Sequence, residues 1–207
     1  MPAKASFTRD MFIDAAFNIV RYKGRNKLSA RSIARELNCS TMPLYSYLKS
    51  MKKVDKELKE KAIGLMLSYQ TTPRTGLAFF DMGLGYVLFA RNEKNLFRFL
   101  FAGNDDRKYV NAGKILKELA FKNLVPKMKT DPILEGLEEQ QLESILTTMW
   151  IFSHGLAFLI NNNAFARDNE NYIRQILEET GLSVIRAEKA KAGFEPVLAR
   201  SSSKIST

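Results

Sequence analysis

The stretch LSARSIARELNCSTMPLYSYL, Leu28 to Leu48, decides the fold. Ser29 stands where a helix N-cap is expected, and Ile33, Ala34 and Leu37 recur at helical spacing behind it, so the spacing predicts a short helix ending at Asn38. Asparagine is, after glycine, the residue best able to take the left-handed conformation of a sharp inter-helix turn. Ser40 is expected to cap a third helix, with Pro43 in its first turn, where a missing N–H breaks no intrahelical bond. About three residues, Asn38 to Ser40, separate the two helices, and Cys39 among them is a small apolar plug rather than a reactive thiol.

Upstream, Phe12, Ala15, Ala16, Ile19 and Val20 mark a longer helix over residues 8–22. Thr8 is its expected cap, Asp10 lies in its first turn and Gly24 is its stop. A longer helix followed by two short ones across a tight turn is the helix-turn-helix arrangement, whose second short helix enters the major groove of DNA. Ser29 can then offer its hydroxyl and free amides to a phosphate, with Arg31 on the same exposed end. Ser40, Thr41, Met42, Ser46 and Tyr47 would present short donors, acceptors and apolar groups to base edges and backbone.

The charge distribution points the same way. The 207 residues carry 32 Lys and Arg against 22 Asp and Glu, a net charge of +10. Residues 1–62 hold 14 basic and 6 acidic side chains, so +8 of the +10 falls in the first third of the chain. A merely solubilising surface would spread that charge, whereas a phosphate-binding head concentrates it.

Other function classes lack their parts. One cysteine and one histidine form neither an intramolecular disulfide nor a four-ligand zinc site, which suits a reducing cytoplasm and leaves no metal centre or cofactor expected. Gly83-Leu84-Gly85 is a fragment of a dinucleotide fingerprint in a helical context, and neither a Walker A sequence nor HExxH occurs, so no enzyme is expected. Lys4, Arg9, Asp10 and Asp14 interrupt any export signal at the N-terminus. The uncharged stretch from Ser144 to Ala166 has an apolar part, Ile145 to Ile160, short of the roughly 20 residues a bilayer requires. It reads as a deeply buried helix.

Leu28 to Ala34 followed by Cys39 to Leu48 resembles the DNA-binding head of the TetR-type (TetR/AcrR-like) bacterial transcriptional regulators, over roughly residues 8–58. The resemblance implies an all-α chain. Residues 1–50 would form a three-helix DNA-binding domain, and residues 51–192 a helical ligand-binding and dimerisation domain joined to it by a helix over 51–68. A flexible tail over 193–207 would follow. Carried over residue by residue, Ser29 and Arg31 match phosphate-contacting positions. Thr41, Met42, Pro43 and Ser46 match the base-facing part of the recognition helix, and Tyr45 and Tyr47 match aromatic positions that pack on or reach the backbone. Asn38 replaces the usual glycine of the turn, and Met51 stands where many members have a lysine, so phosphate contact there passes to Lys49, Lys52 or Lys53.

In the second domain Thr75 to Ala90 reads as an aromatic-rich helix, and the last two long helices are expected over 138–163 and 168–190. The resemblance implies an effector cavity in this domain, with Tyr86, Phe89, Trp150 and His154 as lining residues and a largely apolar or aromatic small molecule as effector. The helix over 138–163 is apolar on more than one face and must be covered on all sides, which one subunit rarely manages. A homodimer is therefore expected through the last two helices, with Met149, Phe152, Gly155, Phe158, Ile173 and Ile176 at the interface. The function implied is a dimeric, cytoplasmic, sequence-specific regulator of transcription on a palindromic operator in double-stranded DNA, a repressor released by a small molecule, with no membrane partner. Its rivals are an effector-independent or architectural DNA-binding protein of the same fold and a basic protein of the membrane surface.

Overall fold

The computed structural model describes residues 7–48, 50–101 and 122–191. The expectations for Lys49 and for the tail over 193–207 lie outside them. The described residues form helices and no strand: α1 (Arg9–Lys23), α2 (Ala30–Glu36), α3 (Thr41–Tyr47), α4 (Met51–Thr71), α5 (Ala78–Asn92), α6 (Lys94–Phe101), α7 (122–128), α8 (Glu139–Asn161) and α9 (Glu170–Lys191). The all-helical class is as read from the sequence.

Local chemistry sets the ends of the first helices. The Thr8 hydroxyl accepts from Met11 N at 3.3 Å, and Gly24, at φ +88°, ends α1 in a conformation that favours glycine. At α2 the two serines cap reciprocally: Ser32 N donates to Ser29 Oγ at 3.1 Å and Ser29 N to Ser32 Oγ at 2.9 Å. Asn38 turns the chain at φ +50°. Ser40 holds the cap position of α3 with extended backbone, but its hydroxyl accepts no helix amide, contrary to expectation. It stays exposed.

Phe12, Ile19, Val20, Ile33, Leu44, Leu48, Val54 and Leu58 are buried together, so α1 to α3 and the start of α4 share one core. In the second half α5 is the central element, packed against α4, α6, α8 and α9 and buried on nearly its whole circumference. Gly85 permits the tightest of these crossings. A Cβ there would overlap the carbonyl of Tyr69 and lie 2.7 Å from Gln70 Cα, so the end of α4 rests on bare α5 backbone.

Buried polar groups fasten the helix ends. Asp131 accepts from the amide of Phe79 at 2.8 Å and so caps α5, while Asp81 accepts from the amides of Arg74 and Thr75, delaying the start of α5 to Ala78. Asn161 at the end of α8 donates to the carbonyls of Ala90 and Lys94. Glu93, in the corner between α5 and α6, receives both the Nε and a terminal nitrogen of Arg21 from α1. That carboxylate holds Arg21 above its ordinary pKa, and the pair ties the first helix to the body.

Helix α8 is long and apolar enough, by length and composition, to cross a membrane, yet it packs on α5 and α9. It is not buried all round. Leu142, Ile145, Met149, Leu156 and Ile160 face inward, while Ile151, Gly155, Phe158 and Leu159 lie on the surface.

Candidate functional site

Helix α3 is seven residues long and its inward side is fixed by Leu44 and the following Leu48, 1% and 4% exposed. Everything between them in phase therefore points out. Met42 is 78% exposed, Tyr45 66% and Tyr47 42%, with Ser46 exposed and Thr41 half-buried. Exposing three large apolar side chains on so short a helix is costly unless something covers them. Tyr47 is partly held in place by Phe12, ring centroids 5.6 Å apart. Pro43 lies in the first turn of α3.

The ion pairs around α3 sort the charges of the head. Asp14 pairs with Lys61, Glu36 with Lys23, Asp55 with Arg25, Glu57 with Arg9 and Glu60 with Lys56. Five of the six acids in residues 1–62 are thus neutralised by five of its bases. Lys27, Arg31, Arg35, Lys52 and Lys53 are in no ion pair among the described residues. Arg31 is in the first turn of α2, and Lys52 and Lys53 are in the first turn of α4; neither turn contains an acid. A helix N-terminus is the electropositive end, so cations there oppose the helix dipole and the site gains by recruiting an anion. The free positive charge therefore flanks α3 on both sides in the chain, next to the exposed hydroxyls of Ser29 and Ser40.

In the body, α4, α5, α8 and α9 enclose a space lined by Met66, Gln70, Phe79, Phe80, Met82, Gly83, Tyr86, Phe101, Leu124, Leu146, Met149, Trp150, Ser153 and Leu177. Its open centre is about 50 Å³, room for a few water molecules. Tyr86 and Trp150 stand in its wall. Phe89 does not: it is fully buried on another side of α5, with its ring edge-on to Tyr69 at 5.7 Å. His154 lines a separate hollow with Phe97, Arg98 and Phe158, and is joined to the first space through a 2.8 Å hydrogen bond between its Nδ1 and the Tyr86 hydroxyl. Rings of Phe97, Phe101 and Trp150 surround the imidazole, and burial pushes its pKa below the ordinary value. Near neutral pH it carries no charge.

Of the residues expected at a subunit interface, Gly155 and Phe158 are exposed, and Phe152 and Ile176 are half-buried. Met149 and Ile173 turn inward, Met149 into the cavity wall and Ile173 into the core with no exposed surface. Their places on the open face are taken by Ile151, 64% exposed, and Leu159. A Cβ on Gly155 would meet nothing within 4 Å, so α8 is open at that point among the described residues.

Gln70 and Ser153 escaped the sequence reading, although a signal existed. Val54, Leu58, Ala62, Met66 and Gln70 recur every fourth residue on the buried side of α4, so a polar group falls in apolar register. Ser153 does the same among Ile145, Met149, Ala157 and Ile160 on α8.

No family model matches the chain, and no curated protein does either. Solved structures do. One of them is a TetR-like transcriptional regulator from Rhodococcus sp. RHA1, aligned over 90% of this chain and 97% of that one, with a TM-score of 0.55 and 14% sequence identity. At that identity the likeness is one of architecture, and it agrees with the helix order already described: this chain has the all-helical fold of the TetR-like regulators.

Proposed function

We propose that the chain is a dimeric, sequence-specific DNA-binding regulator of transcription, acting in the cytoplasm as a repressor that a small, largely apolar or aromatic molecule releases from its operator. The observation that carries this reading is the outward face of α3, flanked by cations left over after the acids of the head are paired. Thr41, Met42, Pro43, Tyr45, Ser46 and Tyr47 would meet the groove. Ser29, Arg31, Ser40, Lys52 and Lys53, with Lys49 between them in the chain, would hold the phosphates. The fold neighbour is itself described as a transcriptional regulator.

The proposed dimer is supported by the exposed apolar surface of α8. Ile151, Phe152, Gly155, Phe158 and Leu159 form an apolar row whose members Ile151, Gly155, Phe158 and Leu159 are exposed among the described residues, and Ile176 on α9 would extend it. A two-fold contact there gives two heads, which read inverted half-sites about 34–36 Å apart. Effector binding in the body then opposes DNA binding if it favours another spacing, through a coupling of ~1–3 kcal/mol.

Selection of genomic fragments with the purified chain tests the reading. Enrichment of a palindrome with half-site centres about 10–10.5 base pairs apart, or a multiple of it, is the expected result. Salt-sensitive retention of all fragments alike, without an enriched sequence, would refute it.

A further inference from the structure

Among the described residues seven polar or charged ones are buried: Gln70, Asp81, Glu93, Asp131, Ser153, Asn161 and Glu188. Five are satisfied. Asp81 and Asp131 cap backbone amides, Glu93 holds Arg21, Asn161 donates to two carbonyls, and Glu188 accepts from Ser144 and Lys191. Gln70 and Ser153, at 7% and 3% exposure, have no hydrogen-bond partner among the described residues, and both line the same cavity. A polar group without a protein partner is stabilised only by what meets it from the space beside it. Two such side chains in the wall of one space suit it to something polar enough to answer them.

The rest of the wall limits what that something is. Among the described residues no Asp, Glu, Lys or Arg lines the cavity, and the Tyr86 hydroxyl is already joined to His154. Against these described walls a charged guest would lose its hydration with no opposite charge to meet. The rings of Phe79, Phe80 and Trp150 offer faces and edges to a planar guest. The thioethers of Met66, Met82 and Met149 can rearrange to enlarge a centre too small for a ring as it stands. Beside Ser153 the wall is bare, because a Cβ on Gly83 would sit 3.7 Å from Ser153 Oγ in ordinary contact.

We propose that the cavity takes an uncharged, compact aromatic molecule bearing a hydroxyl or equivalent hydrogen-bonding group, which pairs with Gln70 and Ser153. This rests on the reading of the body as an effector domain and names the chemistry of its ligand.

Toluene, phenol and benzoate share size and shape and differ in polarity and charge, so they are the probes, titrated into the intact chain. The emission of Trp150, the single tryptophan and a wall residue, reports entry, and the thermal midpoint reports binding. Phenol is expected to bind at least as tightly as toluene, and benzoate at least tenfold more weakly than phenol. The double variant Gln70→Met/Ser153→Ala should keep toluene and lose about tenfold in phenol affinity. Entry of toluene with exclusion of phenol, or equal binding of benzoate and phenol, overturns the ligand class while leaving the effector reading standing. Silence of both readouts for all three probes overturns both. The comparison of the three probes on the unaltered chain decides the matter even if the double variant does not fold.

Discussion

Lys52 and Lys53 offer the sharpest test of the proposed interface, because the structure separates free cations from paired ones on the same head. Both are exposed, unpaired among the described residues and placed in the first turn of α4. In a dimer their replacement by alanine removes four charges. At about 0.9 per neutralised phosphate, the slope of log affinity against log salt should become shallower by roughly 3.6, so that between about 50 and 200 mM salt the variant loses about a hundredfold less affinity than the unaltered chain. Lys23→Ala removes a cation already paired with Glu36 and should leave the slope nearly unchanged. Thr41→Ala and Ser46→Ala should instead cost ~1–3 kcal/mol on the selected palindrome and little on a scrambled duplex. Removing cations from the electropositive end of α4 should also make the free protein slightly more stable, by ~0.3–1 kcal/mol. Fluorescence anisotropy over a salt series on both duplexes, with thermal unfolding of each variant, measures all of this. Equal slopes for the Lys52/Lys53 and Lys23 variants, or equal losses on both duplexes for Thr41 and Ser46, would refute the assignment of roles.

Two glycines one turn-half apart on α5 should respond with opposite signs. Gly83→Ala enters ordinary contact space and should raise stability by up to ~1 kcal/mol through helix propensity, whereas Gly85→Ala collides with α4 backbone and should cost ~1–3 kcal/mol or more in chemical denaturation. Charges placed on the open apolar row, Ile151→Glu or Phe158→Lys, should shift the protein to monomers in sedimentation while its helical circular dichroism is retained. His154 is held neutral by burial, so the unfolded chain takes up a proton below pH ~6.5 that the folded chain refuses; stability should fall with pH below that point by at most ~1.4 kcal/mol per unit, and His154→Gln should flatten this part of the profile.

The parts of the fold set by local chemistry could be read from single residues. Thr8, Gly24, Ser29 and Asn38 each act within one turn of the chain, and they mark the ends of α1, the start of α2 and the turn after it, although α2 itself stops at Glu36, two residues before Asn38. Sidedness was harder. α5 is buried on nearly every face, so its periodicity cannot separate Tyr86, which meets the cavity, from Phe89, which meets Tyr69. α8 is apolar on more than one face, and nothing in its own sequence tells which face the same chain covers; the structure turns Met149 inward and Ile151 outward. Ser40 shows a different limit, since its cap position is legible but whether its hydroxyl bonds depends on a geometry the residue type does not fix.

Helix α4 is where the proposed head and the proposed ligand site become one physical problem. Its first turn carries Lys52 and Lys53, and its last carries Gln70 in the cavity wall, about 27 Å away along a helix rising 1.5 Å per residue. The head is bound to its near end by Val54 and Leu58 in the shared core and by the pairs Arg9–Glu57 and Lys61–Asp14. Its far end lies on the bare backbone of Gly85, with the Tyr69 hydroxyl beside Glu93, the same carboxylate that holds Arg21 of α1. A guest that pairs with Gln70 must seat itself against an end of α4 with no slack toward α5, so the room it needs has to come from side chains or from α4 itself. In the first case the heads stay where they are and DNA affinity is untouched. In the second, α4 carries the head with it against the hold of α6 on α1, which includes the Arg21–Glu93 pair and the hydrogen bond from Asn95 Nδ2 to the Arg21 carbonyl. Loosening that pair with Arg21→Ala should therefore make a bound phenol change operator affinity more strongly, and an unchanged response would mean that the ligand is accommodated by the thioethers alone.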